Sequence, residues 1–166
     1  MKLNSGFLAL ASAGAIALGV PGMAWAHADH AHHAHGAGAL PEAHAAGQPG
    51  DAAKVTRTIE IGMQDVMRFT PASIQVAQGE TVRFIVHNEG VIEHELVLGK
   101  MSDLLAHAEQ MRQDPGMPHD EPNAISLEAG EKGELIWQFG EMGVVDFACL
   151  LPGHSEAGMV GQITVR

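Results

Sequence analysis

The most constraining feature of this sequence is a short loop near its C-terminus that carries the chain's single cysteine. Cys149 is followed five positions later by His154 and, after five more, by Met159. Thiolate, imidazole and thioether in one loop form a soft ligand set, which suits copper better than magnesium or calcium. A trigonal arrangement of two imidazoles and a thiolate, with a weak axial thioether, is a blue-copper site. The loop therefore predicts three copper ligands and requires a second histidine from elsewhere.

The second imidazole has two candidates upstream. His94 is the better one, because it opens a predicted strand beside the place where a β-sandwich would bring Cys149. His87 competes for the position, but it ends the preceding predicted strand just before a turn. Glu156 is a rival oxygen donor within the C-terminal loop itself.

Taken together, the Cys-x4-His-x4-Met loop and a lone upstream histidine at the start of a strand resemble the cupredoxins. These are type-1 copper proteins related to plastocyanin and azurin. The resemblance covers residues 55–166. Three segments are most similar to periplasmic cupredoxins associated with copper tolerance: residues 67–71, 79–84 and 148–154.

The resemblance implies a Greek-key β-sandwich that holds one type-1 copper ion. Its ligands would be His94, Cys149, His154 and Met159, and the family pattern favours His94 over His87. Plastocyanin and azurin usually place Asn directly after the first histidine ligand, where it ties the two ligand loops together. This chain has Glu95 at that position, which alters the hydrogen bonding around the ligands.

The first 26 residues have the pattern of a secretory signal peptide. Lys2 supplies a positive start, residues 7–20 form an apolar run, and Ala24-Trp25-Ala26 is a cleavage signature. The apolar run is short and ends at Pro21-Gly22, which argues against the alternative of a membrane anchor. We therefore expect cleavage after Ala26 and export to the periplasm, without membrane association of the mature form.

Composition limits the classes of partner that the mature protein can have. Lys2 is the only charge removed with residues 1–26, so eight basic residues remain against 20 acidic ones, a formal charge of −12. Such a surface argues against nucleic acid and anionic membranes and favours cations. A lone cysteine excludes an internal disulfide, and metal ligation explains an odd cysteine in an exported protein. We expect a monomer that binds copper ions and meets a periplasmic redox or copper-export partner.

Residues 27–53 are predicted to form a disordered tail, because they are mainly Ala, His, Gly and Pro without an apolar period. His-rich tracts bind metals through local density, although a solvated spacer with incidental histidines is the alternative. After cleavage, the first of these histidines would also offer a free amine. The tail holds six of the eleven histidines: His27, His30, His32, His33, His35 and His44.

From residue 54 onward the chain alternates apolar and polar residues, with Gly-marked turns between short runs. This pattern favours an all-β sandwich. The predicted strands are residues 58–61, 73–76, 81–87, 96–98, 124–127, 134–139, 144–148 and 162–165.

One segment, residues 102–113, is predicted to be a short helical insertion. Leu104, Leu105, Ala108 and Met111 share a helical stripe, and Ser102 is the expected N-cap. The loop that follows contains two soft donors. These donors are Met117 and His119, and with Met111 they predict a second, weaker copper site. The alternative is that the methionines fill the core, as methionines more often do.

Two other chemistries fit the cysteine less well. A catalytic pair of Cys149 and His154 leaves Met159 and the tail unexplained and lacks a third orienting residue. Structural zinc is disfavoured because thioether is a poor zinc ligand. We therefore expect that the protein is not an enzyme, apart from at most a weak copper oxidase activity. The predicted function is a periplasmic copper protein cycling between Cu(I) and Cu(II) in copper tolerance, and the alternative is a soluble one-electron carrier.

Overall fold

The computed structural model describes residues 46–114, 116 and 121–166. The predicted signal peptide and residues 27–45 of the tail, with all six tail histidines, lie outside this range, as do Met117 and His119. Within the described residues no helix combines the length and apolarity that crossing a membrane requires.

The described chain forms two five-stranded sheets, which confirms the all-β prediction. The first has the strand order β1-β8-β5-β2-β3, and the second has the order β4-β10-β9-β6-β7. One α-helix, α1 (Met101–Gln113), follows β6 in the described residues. The strands are β1 (Gln48–Pro49), β2 (Arg57–Gln64), β3 (Arg68–Thr70), β4 (Ser73–Val76), β5 (Thr81–Asn88), β6 (His94–Gly99), β7 (Ala124–Leu127), β8 (Lys132–Gln138), β9 (Gly143–Ala148) and β10 (Val160–Val165).

Alternation along the strands builds the core between the sheets. In β5, Val82, Phe84 and Val86 have no exposed surface, because residues two apart share one face of a strand. Edge-to-face ring pairs join the aromatic side chains, with centroids 5.0 Å apart for Phe69 and Phe147. Such pairs stabilise a core beyond their buried area.

Strand β6 is unusual because all six of its residues are buried. Leu96 and Leu98 belong to the main core, whereas Val97 packs with Leu104 of α1 in a second, smaller cluster. Alternation therefore places one set of β6 side chains inside the sandwich and the other beneath the helix. The even-numbered set begins with His94 and the odd-numbered set with Glu95.

The ordered sheet begins before residue 54, where the predicted domain starts. Gln48 and Pro49 pair antiparallel with Gln138 and Trp137 of β8. The Trp137 indole N–H also donates to the carbonyl of Ala46 at 2.9 Å. Residues 46–53 carry no strand pattern of their own, so their order comes from these bonds to β8.

The helix differs from its prediction at two positions. It begins at Met101 with Lys100 as the N-cap, so the Ser102 cap is wrong. The amide of Met101 instead donates to the Asp146 carboxylate on β9 at 2.9 Å, a partner that local sequence does not reveal. Leu105, which was expected in the buried stripe, is 47% exposed, and His107 is buried there instead.

Candidate metal centre

Three of the four predicted ligands converge in the structure. The Nδ1 atoms of His94 and His154 are 3.3 Å apart, and Cys149 Sγ lies 3.2 Å from His154 Nδ1. All three donor atoms lie within 4.8 Å of one another. His94 and Cys149 are fully buried, whereas His154 is partly exposed. This is a compact pair of imidazoles and a thiol with one edge towards solvent.

The sheet register explains why residues 55 positions apart in sequence meet here. Strands β6 and β9 are antiparallel neighbours, with Val97 opposite Ala148. Continuing that register past the end of β9 brings the start of β6 beside the loop that follows Cys149. His94 therefore reaches the loop because it is the first residue of β6.

Backbone hydrogen bonds hold the C-terminal loop in a closed shape. The amide of Cys149 donates to the carbonyl of Met159 at 3.1 Å, and the amide of Met159 donates to His154 at 3.0 Å. Gly153 has a φ of +87°, which a side-chain-bearing residue rarely adopts. This turn brings His154 back towards Cys149, so the predicted ligand spacing corresponds to a real closure of the chain.

The remaining candidates take different places. Met159 is fully buried in the same core cluster as Cys149. His87 lies on β5 in the other sheet, opposite Lys132, and is not part of the converging group. Glu156 contacts Arg112 of α1 at 3.3 Å, so its carboxylate is engaged on the helix side.

Burial controls the protonation of the donors. The pKa of the Cys149 thiol is raised to about 11, mainly by desolvation and with a smaller contribution from the carboxylates of Glu95 and Glu93, although nearby backbone hydrogen bonds oppose the rise. A metal cation reverses this preference by displacing the thiol proton. Desolvation and the neighbouring His94 lower the pKa of His154, which favours the neutral imidazole that binds metals.

A carboxylate that sequence reasoning missed orients the first histidine. Asp65 Oδ1 lies 3.0 Å from His94 Nε2, and Asp65 Oδ2 accepts the Val91 amide at 2.9 Å. The Val91 bond and then the His94 bond lower the pKa of Asp65, so this carboxyl is ionised. The carboxylate favours the proton on Nε2 and leaves Nδ1 free on the side of His154 and the thiol, as a metal-binding histidine requires. Asp65 follows β2 in sequence, and no local motif marks it.

Glu95, at the position where the resemblance predicts Asn, links the two loops. Its buried carboxylate accepts the amide of Leu150 at 2.7 Å, directly after Cys149. Its other oxygen lies 3.4 Å from the Ser126 hydroxyl on β7. The side chain therefore ties the start of β6 to the cysteine loop from the helix side of the sheet.

Comparison with known proteins agrees with this geometry. The copper-resistant cuproprotein CopI of Rubrivivax gelatinosus is 56% identical over 120 residues, which cover 72% of this chain and 73% of the relative. The CopI protein of Pseudomonas aeruginosa is 38% identical over 152 residues, covering 72% and 82%.

Solved structures show the same fold. Auracyanin B superposes with a TM-score of 0.60 at 24% identity, covering 74% of this chain and 96% of the other. This likeness confirms the Greek-key sandwich. Residues 54–166 also match the family described as copper binding proteins, plastocyanin/azurin family. Since that match covers strands β2 to β10 and the three converging donors, the chain belongs to the plastocyanin/azurin family of copper-binding proteins.

Proposed function

We propose that this chain is a periplasmic copper-tolerance protein with a type-1 centre formed by His94, Cys149, His154 and Met159. The convergence of two imidazole nitrogens and the cysteine sulfur within 4.8 Å carries the proposal. Buried Met159 would supply the weak axial donor, since its backbone is bonded to both Cys149 and His154. When bound there, copper supplies one-electron chemistry between Cu(I) and Cu(II).

The protein's part is to keep the ligands in place through that chemistry. Cys149 and Met159 are joined through their backbones, His94 is held by Asp65, and Glu95 holds the residue after the cysteine. Fixed ligands need little rearrangement when the charge of the ion changes, and that favours rapid electron exchange.

Copper tolerance is supported by the relatives and by the tail. The two relatives compared above are named copper-resistant cuproproteins. Six histidines within residues 27–44 would add copper capture to the redox centre. The signal-peptide pattern supports a periplasmic location, where copper would be sequestered or oxidised.

The test is growth under copper stress. A strain that lacks the gene should grow poorly in added copper, and the wild-type gene should restore growth while Cys149→Ser should not. The purified variant should also lack the intense thiolate-to-copper absorption of the wild type. Full restoration of growth by Cys149→Ser would contradict a tolerance role for the centre.

Electron carriage remains a second candidate because apolar residues lie exposed beside the site. Val66 and Val91 are 71% and 81% exposed, and both flank the Asp65 carboxylate that contacts His94. An exposed apolar surface next to a redox centre suits transient docking of a partner. Val91→Glu should slow electron exchange with such a partner while leaving copper resistance intact. If the variant loses copper resistance, resistance depends on this docking surface, which would favour the carrier role.

A further inference from the structure

A small cavity lies beneath α1, on the side of β6 opposite to the metal centre. The volume of this cavity is about 10 Å³, which is room for one water-sized particle. Val97, Ala124 and Leu150 form its apolar wall. Its other lining side chains all carry donor atoms: Glu95, His107, Met111 and Glu121. None of the four proposed type-1 ligands lines it.

The helix presents two of these donors together. His107 and Met111 are four residues apart, so they lie on one face of α1. His107 is only 6% exposed, although imidazole is a costly group to bury without strong partners. The sequence prediction used Met111 but not His107, because the stripe was expected to contain Leu105.

The spacing of the donors fits one ion. His107 Nε2 lies 3.4 Å from Glu121 Oε1, which is long for a hydrogen bond. Two donors that each lie about 2.0–2.2 Å from one tetrahedral ion are separated by roughly 3.4 Å. The two atoms are therefore spaced as ligands of one ion would be, in the lining of a cavity of single-ion size.

We propose that this cavity is a second copper site, which binds Cu(I) through His107, Met111 and Glu121. Thioether and imidazole donors favour Cu(I), and thioether disfavours zinc. Calcium is excluded because it takes six to eight oxygen ligands. The carboxylate supplies the negative charge that compensates a buried cation.

The second site adjoins the first through one side chain. Glu95 lines the cavity, and its Oε1 accepts the amide of Leu150, the residue after Cys149. The protein would thus hold two copper ions on opposite faces of β6. This goes beyond the proposed function, which needs one centre and a tail.

Methionine methyl resonances can test the site without interference from the histidine tail. The mature protein would be labelled with ¹³C at the methionine methyl groups and titrated with Cu(I). We expect two resonances to shift, assigned to Met159 and Met111 by the variants Met159→Leu and Met111→Leu. Zn(II) should leave the Met111 resonance in place.

The His107→Gln variant separates this site from others that would use Met111. Glutamine keeps a donor towards Glu121, so the fold should persist, and an unchanged Met159 response verifies it. The Met111 shift should disappear, while the matched control His87→Gln should retain it. A Met111 resonance that never moves, or that still moves in His107→Gln, would overturn the proposal, as would an equal shift with Zn(II).

Copper counting gives an independent measurement. After exposure to a competing Cu(I) chelator, Met111→Leu should retain one copper ion fewer per chain than the wild type. Met142→Leu is the matched control, because Met142 is 70% exposed and lies outside the cavity. Equal retention by both variants would contradict the site.

Discussion

Single residues outside the ligand set determine how the centre binds its ion. Asp65 fixes the proton on His94 Nε2, and its own pKa is held low by the Val91 amide. The same carboxylate leaves no room for a side chain at Gly90, because a Cβ there would lie 1.9 Å from Asp65 Oδ1. One side chain therefore orients a proposed ligand and limits how closely the loop that carries Val91 can approach.

Replacing Asp65 should weaken copper binding without removing a ligand. Asp65→Ala leaves His94 Nε2 without its acceptor, and loss of such partners typically costs about 10–100-fold in metal affinity. Competition with a chelator of known affinity measures the change. Asp65→Asn keeps an acceptor oxygen, so it should fall between the wild type and Asp65→Ala. Equal affinities for all three proteins would show that Asp65 does not support His94.

The raised pKa of Cys149 predicts how the stability of the metal-free protein depends on pH. Its pKa is raised from 9.0 to about 11 by desolvation, so folding favours the protonated thiol. This contribution is fully present below pH 9 and is lost as pH rises towards 11. The loss should be about 2–3 kcal/mol, at about 1.4 kcal/mol for each pKa unit.

Chemical denaturation of the metal-free protein between pH 8 and 11 measures this loss. Cys149→Ser has no thiol to ionise, so the difference between the two proteins isolates the cysteine from lysines that titrate in the same range. Parallel stability curves for the two proteins would contradict the assigned burial of the thiol.

Among the secondary-structure elements, β6 connects the proposed metal centre with the cluster beneath helix α1. Its even-numbered residues lead from His94 into the main core, and its odd-numbered residues lead from Glu95 to the helix cluster. The carboxylate of Glu95 then bonds the cysteine loop at Leu150. Helix α1 makes this possible, because it covers the face of β6 that would otherwise be exposed to solvent.

Glu95→Ala should break this link between elements. The Leu150 amide would be left buried without an acceptor, which costs about 1–3 kcal/mol. The thiolate-to-copper absorption should also shift, since the loop bearing Cys149 loses one restraint. Denaturation and visible spectra measure both effects. Glu60→Ala, at an exposed glutamate of β2, is the control and should change neither.

Local pattern predicted the longer strands but not the contacts made across the fold. Strands β4 and β7 begin and end at their predicted residues, and in β4 exposed and buried side chains alternate because only one face is packed. Strands β1 and β3 have two and three residues, too few for a period, and exist through their partners. The roles of Asp65 and of Asp146, which accepts the Met101 amide, were missed for the same reason, since each contacts a residue distant in sequence.

At the scale of the whole molecule, we propose that the sandwich and the tail have complementary tasks. The formal charge of −12 expected after removal of residues 1–26 would attract cations, more strongly at low salt. If residues 27–45 form the flexible chain that their sequence predicts, these 19 residues would reach roughly 22–26 Å, at 5–6 Å per square root of residue number. That span is comparable to a small domain, so copper captured there would stay at high effective concentration near the centre.

Deleting residues 27–45 should therefore slow the filling of the centre at limiting copper. Growth of the thiolate-to-copper band after rapid mixing measures the rate for full-length and shortened proteins. The shortened protein should reach the same final absorption, because its ligands are intact, but more slowly and with fewer copper ions bound per chain at saturation. Replacing the six tail histidines with glutamine keeps the length and should reproduce the deletion. The full-length advantage should shrink at high salt, where the acidic surface is screened. Equal rates for all three proteins would show that the tail does not feed copper to His94, Cys149, His154 and Met159.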